Sequence, residues 1–399
     1  MAGITVGIVA LPLALAFGIT TGAGAQAGLI TAIYAGLIAA IFGGSNYQVS
    51  GPTGAMTVVL VPIVTKYGVA ALAPLGLAAG ALVVLMGITH LGSLIKRVPW
   101  PVMEGFTLGI ALVIAMQQLP SVLSSKGVAG SNTLMTAWRT LHHAISVGLH
   151  WSSLGLMVLT LVVKFGYPKV AHRFGFKFHV PASFVAIIIA TLAVEIFSIK
   201  TPNIGTLPRS LFSHVSLTTS HMGMSSLIIG AIEIALLAAI ESLLSARVAD
   251  QMVHLHDESL GYKPNRELVG QGLATMVSSV VGGMPATGAI ARTSVNIRSK
   301  AQSRISSITH ALFLILVVLV LNPVISHIPT AALGAVLIGT SYRIASPANL
   351  RELLQTTRLD AVTLLVTAAL VVWIGLIWAI ALSTVGYFFA TIVLSHKKA

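Results

Sequence analysis

SGPTGAMT at residues 50–57 and GGMPATGAIART at 282–293 carry one short phrase, Thr-Gly-Ala, with a proline one or two residues ahead of it. Each copy borders strongly apolar sequence. Pro52 has no N–H to donate, and Gly51 and Gly54 weaken helix, so the backbone ahead of Pro52 should be extended. Proline is tolerated at a helix start, which predicts a short helix beginning near Thr53 or Gly54. Pro285, Thr287 and Gly288 predict the same for the second copy. The plain alternative is a pair of ordinary glycine–proline kinks, which are common in membrane helices.

Composition decides the solvent. Of 399 residues, 56% are hydrophobic and 8% charged, against about 25% charged in soluble domains. Ten acidic and 23 basic side chains cannot cover a soluble surface of this size, so the chain is expected to be an all-α polytopic membrane protein in a lipid bilayer. With no cysteine, disulfides, thiolate metal sites and cysteine nucleophiles are excluded. The net charge of +13 falls mostly in short loops, which favours membrane topology over nucleic acid. No cleavable signal peptide is expected, because the first apolar stretch, 3–22, is long enough to span.

Apolar segments fall near 3–22, 26–43, 53–65, 68–91, 101–119, 152–167 and 180–199, then 223–246, 266–282, 288–298, 306–326, 329–344, 359–372 and 373–394. The third and tenth are too short to cross alone. With both termini in the cytoplasm, seventeen Lys and Arg residues, Lys164 among them, fall inside and five outside: Lys66, Lys126, Arg139, Lys200 and Arg209. Seven segments per half give the second half the opposite orientation, an inverted repeat of 7+7. Residues 120–151 read as a polar outer loop with His142, His143 and His150.

Non-helical backbone at membrane depth survives only where protein buries it or a cavity borders it. Two half-helices starting at the two phrases would aim their N-termini at one midplane point. Each end carries free N–H groups and about half a positive charge. Arg292 adds a full charge, and the small residues Gly54, Ala55, Ala289 and Ala291 allow close approach. The expected guest is a small inorganic or organic anion, held by Thr53, the N–H groups near 54–56 and those of Gly288, Ala289, Ile290 and Ala291.

Glu233 and Glu241 lie in the eighth segment. A mid-membrane acid costs about 2.5–3.5 kcal/mol, which makes Glu241 a functional candidate. Ser245 is four residues on and shares its face, and Ala246 leaves space beside them. A carboxylate about 6 Å from a bound anion costs on the order of 2–3 kcal/mol at an effective dielectric near 20. Protonating Glu241, binding Na⁺ beside it, or pairing it with Arg292 would each relieve this. Glu233 reads as a helix-interface group. His254 and His256, beside Asp257 and Glu258, read as a polar turn rather than a metal site.

ALPLALAFG at 10–18, SGPTGAMTVV at 50–59, EGFTLGIALVIAMQQLP at 104–120, IESLLSARVADQM at 240–252 and the long stretch from ELVGQGLATMV through KAQSRIS at 267–306 resemble the sulfate-permease (SulP) anion transporters. The resemblance implies a core domain of segments one to four and eight to eleven (1–92 and 206–327) and a gate domain of the rest (93–205 and 328–399). It also implies a homodimer and a site lined by Phe17, Thr53, Glu241, Ser245, Ala246, Ala291 and Arg292. Sodium-coupled bicarbonate relatives carry aspartate where this chain has Glu241 and hydroxyls at the positions of Ser245 and Ala246, one of which is missing here. Proton symport of a dicarboxylate, bicarbonate or sulfate is therefore expected, with no cofactor, no metal and no catalysis, in the bacterial inner membrane. Sodium symport, an uncoupled channel or exchanger, and a nucleobase permease are the rival readings. Family members usually continue into a cytoplasmic STAS domain; this chain stops at SHKKA.

Overall fold

The computed structural model describes all residues except 94–97, 129–131, 175–179, 207–209, 211, 213–221, 254–260, 346–356 and 397–399. The first half runs α1 (Ala2–Thr20), α2 (Ala25–Phe42), strand β1 (Ser50–Gly51), α3 (Gly54–Tyr67), α4 (Leu72–Ile88), α5 (Trp100–Gln117), α6 (Leu119–Leu123), α7 (Thr133–Val147), α8 (Trp151–Arg173) and α9 (Ala182–Ile196). The second runs α10 (Met224–Val253), α11 (Pro264–Val280), strand β2 (Thr287–Gly288), α12 (Ile290–Arg298), α13 (Ile305–Ile325), α14 (Thr330–Ala345), α15 (Arg358–Ile374) and α16 (Leu376–His396). Each of the fourteen predicted segments has a helix. By length and composition, eight spans among the described residues are long and apolar enough to cross a membrane, while Gly54–Tyr67 is one of the shorter apolar helices.

Two readings needed correction. The region 120–151 is not a plain loop: α6 and α7 occupy much of it. Asn132 caps α7 by accepting from the Met135 N–H, and α7 packs Ala137, Thr140 and Ala144 inward. Lys164, which the charge count put on the cytoplasmic side, is no surface base either. It lies within α8, fully buried, and its ammonium donates to the Val336 carbonyl and the Thr340 hydroxyl of α14. A long stem let a polar head reach a helix carbonyl, which hydropathy cannot distinguish from a segment end.

Packing follows two groupings. α1, α2, α4, α10, α11 and α13 contact one another extensively, as do α5, α8, α9, α14, α15 and α16. Contacts between the groups are sparser, chiefly α1 with α14 and α3 with α5. The hydrophobic effect does not separate helices from lipid, so close backbone approach does much of the holding. At the α1–α2 crossing, a Cβ on Gly28 would lie 1.9 Å from the Ala14 carbonyl oxygen, and one on Gly18 would lie 2.3 Å from that of Gly24. Backbone atoms cannot step aside as a side-chain tip can.

Gly28→Ala is therefore expected to lower thermal stability by at least ~1–3 kcal/mol, read as an earlier melting of detergent-solubilised protein. Gly155→Ala in α8, where a Cβ meets nothing within 4 Å, should leave the melt unchanged or raise it slightly. Equal effects at the two positions would contradict the close-crossing account.

Candidate functional site

The two Thr-Gly-Ala phrases meet. β1 and β2 pair antiparallel, Ser50 with Gly288 and Gly51 with Thr287. Extended backbone in an apolar bundle must find partners inside the protein, and here the accounting is nearly complete. The Ala289 N–H donates to the Val49 carbonyl, the Val49 N–H to the Thr293 hydroxyl, and the Gly288 N–H to the Ser242 hydroxyl. Thr31 accepts from the Met284 N–H, and Thr275 and Ser278 donate to the carbonyls of Ala286 and Met284. Scattered hydroxyls on apolar helices thus clothe the ribbon.

From the ribbon the chain enters two helices at once. α3 starts at Gly54 with Thr53 as its N-cap, whose hydroxyl accepts from the Met56 N–H at 3.3 Å. α12 starts later than the sequence implied, at Ile290, and has no side-chain cap. Thr287 and Gly288 are strand instead, because pairing with β1 holds them extended. The amides of Gly288 and Ala289 are accordingly engaged within the protein. Among the described residues, the helix-start N–H groups left without a partner are those of Gly54 and Ala55 on one side and Ile290, Ala291 and Arg292 on the other.

Glu241 of α10 lies between the two starts. Its Oε2 accepts from the hydroxyls of Thr53 at 2.9 Å and Thr287 at 2.7 Å, and the two hydroxyl oxygens are 3.0 Å apart. One carboxylate oxygen and the threonine of each phrase form a closed triangle. Glu241 is only part-buried, although Ser242, Ser245 and Ala246 beside it are buried. Ala291, on the first turn of α12, is exposed between half-buried Ile290 and buried Arg292. Glu241 and the first turn of α12 therefore both keep some exposed surface.

Other candidates are placed as follows. Phe17 and Ile114 lie over the start of α3: a Cβ on Gly54 would come 2.0 Å from Ile114 Cδ1 and 3.4 Å from Phe17 Cε1. Ala55 is buried. Ser245 does not join the Glu241 triangle; its hydroxyl lies 3.2 Å from that of Thr293. Arg292 is buried and folded back, its Nη2 donating to the Pro52 carbonyl. Its Nη1 has no partner among the described residues and occupies the space a Cβ on Gly51 would need. Gly51, at φ 152°, is thus required twice, by its backbone and by the guanidinium. Arg292 makes no direct ion pair with Glu241 among the described residues, so the Glu241–Arg292 pairing weighed above is not the arrangement adopted; the two interact only across space. His254 and His256 lie outside the described residues.

Sequence reasoning missed Thr287 as a partner of Glu241, and missed Ser242, Thr293 and Ile114. Thr287 carried a signal, since it occupies in the second phrase the place of Thr53 in the first. Ile114 carried none.

A helical membrane bundle in which two half-helices begin at a shared ribbon beside a part-exposed acid defines a transporter fold rather than an enzyme. The chain belongs to the Sulfate permease family, whose model matches residues 1–367. It is 37% identical over 392 residues to the putative sulfate transporter YvdB of Bacillus subtilis, covering 96% of this chain and 71% of that protein. It is 30% identical over 349 residues to the bicarbonate transporter BicA of a Picosynechococcus species, covering 84% of this chain but 59% of that one. The solved transmembrane domain of a cyanobacterial BicA superposes with a TM-score of 0.82 at 28% identity, covering 95% of each chain. SLC26A9, at 16% identity and a TM-score of 0.84, shares the fold.

Thr287→Val keeps the side-chain shape and removes one edge of the triangle, a charge-assisted hydrogen bond of about 1.5–3 kcal/mol. Anion uptake into proteoliposomes should fall roughly tenfold or more, with Thr287→Ser retaining most of it. Undiminished uptake by the valine variant would show that the triangle has no part in transport.

Proposed function

We propose that this chain is the membrane unit of a secondary active transporter that moves small oxyanions together with protons by alternating access. One observation carries the reading: the Glu241–Thr53–Thr287 triangle sits where two half-helix N-termini converge. The open amides of both helices and the nearby Arg292 favour an anion there. Phe17, Thr53, Gly54, Ala55, Ala246 and residues 288–292 surround the proposed substrate position, with Glu241 and Ser245 on the coupling side. Engaged amides at Gly288 and Ala289 leave Ile290 to Arg292 as the α12 donors.

The triangle also supports protons over sodium. It has three oxygens and three edges. With Glu241 protonated, two hydroxyl protons and one carboxyl proton fill every edge. With Glu241 ionised, two protons serve three edges, and both threonines turn their hydroxyls to the carboxylate. Loading and losing one proton therefore rewires both helix starts together, while an opposed anion makes the ionised form costly.

Residues 1–92 and 206–327 act as the core that carries the site, and 93–205 and 328–399 as the gate it moves against. The two packing groups and their sparser mutual contacts support this division. The named relatives are sulfate and bicarbonate transporters, which favours those anions, with dicarboxylates a further class. The protein works in a bacterial plasma membrane, as a homodimer, with both termini cytoplasmic.

The test is uptake of labelled sulfate, bicarbonate and succinate into proteoliposomes under an imposed proton gradient, with and without sodium. Accumulation of one anion that a protonophore abolishes and sodium leaves unchanged is expected. Glu241→Gln should bind and exchange that anion but no longer accumulate it. Proton-driven accumulation by the glutamine variant would overturn the coupling role, and a strict sodium requirement would favour sodium symport.

A further inference from the structure

Six residues beyond Glu241, about 9 Å further along α10 by helical rise, Arg247 lines a cleft of about 120 Å³ between the two packing groups. Leu243, Leu244 and Arg247 come from α10, Trp100 and Met103 from α5, with Val98 and Tyr262 closing the sides. Leu244 stands one helical turn from Glu241, so the cleft adjoins the triangle along one helix. Among the described residues its only charged side chain is Arg247, which is exposed.

The basic group is uncommitted. Among the described residues Arg247 makes no hydrogen bond and no salt bridge. The nearby acids among the described residues are occupied or set apart. Asp250, one turn on, accepts from the Tyr262 N–H. Glu267 of α11 is taken up by the Gly44 and Ser45 amides and by Gln271. Glu104 of α5 is half-buried and does not line the cleft. Burial pushes the Tyr262 phenol up to about 12, so at neutral pH it offers Arg247 no counter-charge. A lone guanidinium at the mouth of an apolar-walled cleft concentrates anions there, because low-dielectric walls focus its field.

We propose that Arg247 forms a second anion subsite, a recruiting station for oxyanions at the end of the pathway that the proposed orientation puts in the cytoplasm. The cleft has room for a small oxyanion and water. The guanidinium fork suits carboxylate, carbonate or sulfate oxygens bidentately, and ammonium does not reproduce that geometry. The substrate stops at Arg247 before reaching the half-helix starts, on one face of the transporter only. This assignment rests on the transport reading above.

The experiment measures uptake of labelled sulfate, bicarbonate and succinate in proteoliposomes of defined orientation, with the anion presented from either face. Arg247→Ala should raise the KM for the transported anion about five- to tenfold from the α10 C-terminal face, with KM from the opposite face unchanged; that unchanged value also reports a correctly folded carrier. Arg247→Lys should recover only part of the loss, and raising ionic strength should shrink the wild-type advantage. An unchanged KM from both faces overturns the subsite while leaving the transport reading intact, provided Glu241→Gln still loses accumulation. An equal rise from both faces overturns it too, since Arg247 would then act on the central site. Wild-type protein that moves none of the three anions overturns both proposals.

Discussion

Backbone hydrogen bonding at membrane depth is the constraint on which the rest of this structure depends. Two helices begin inside the bundle, each preceded by an extended stretch whose amides have no water to bond. Those stretches satisfy each other through the Ser50–Gly288 and Gly51–Thr287 pairing. Hydroxyls on α2, α10, α11 and α12 take up much of what remains. Without such partners each buried polar group would cost several kcal/mol in lipid. The ribbon therefore fixes where both half-helices start, and with them the positions of Thr53 and Thr287.

The electrostatics follow from that placement. Two helix ends and one guanidinium bring positive charge to a small volume, against a single acid. Arg292 folds onto the Pro52 carbonyl beside Gly51. It acts through space and through the backbone it braces. Glu241 meets hydroxyls rather than a cation, which under the proposed coupling leaves it free to take up and lose a proton. A carboxylate clamped by a direct salt bridge to Arg292 would be held ionised and would lose that freedom. Under the proposed coupling, anion and proton meet at one place because both depend on the same two threonines.

Much of this was legible in the sequence, for particular reasons. The repeated Pro and Thr-Gly-Ala signalled broken helices because Gly51 and Pro52 cannot continue one, and the start of α3 was readable as near Thr53 or Gly54. Glu241 stood out because an acid there is expensive. The second phrase was harder. Its helix begins two residues later than Gly288, since the strand pairing that claims Thr287 and Gly288 comes from Gly51 and Ser50, far off in the chain, and local propensity cannot see it. Ser245 shares a helical face with Glu241, yet Thr293 captures its hydroxyl. The α5 residue Ile114 closes over Gly54 with no motif to announce it. The burial of Lys164 against the Val336 carbonyl was not legible, because a charge says little about its surroundings when a long side chain can reach a carbonyl.

The meeting of the two phrases is open to direct measurement because the chain has no cysteine, so an introduced pair has no competitor. Directly opposed residues of an antiparallel pair have Cα atoms about 4.5–5.5 Å apart, within the range a disulfide spans. With Val49→Cys and Ala289→Cys, the next positions in the same register, in one molecule and a protease site placed between the halves, mild oxidation in the membrane should hold the two fragments together, and reductant should part them. A control pair of Val49→Cys with Gly155→Cys should not link. Fragments that separate without reductant, or link as readily through the control pair, would mean that the two half-helices do not begin side by side, and the site built on them would not exist.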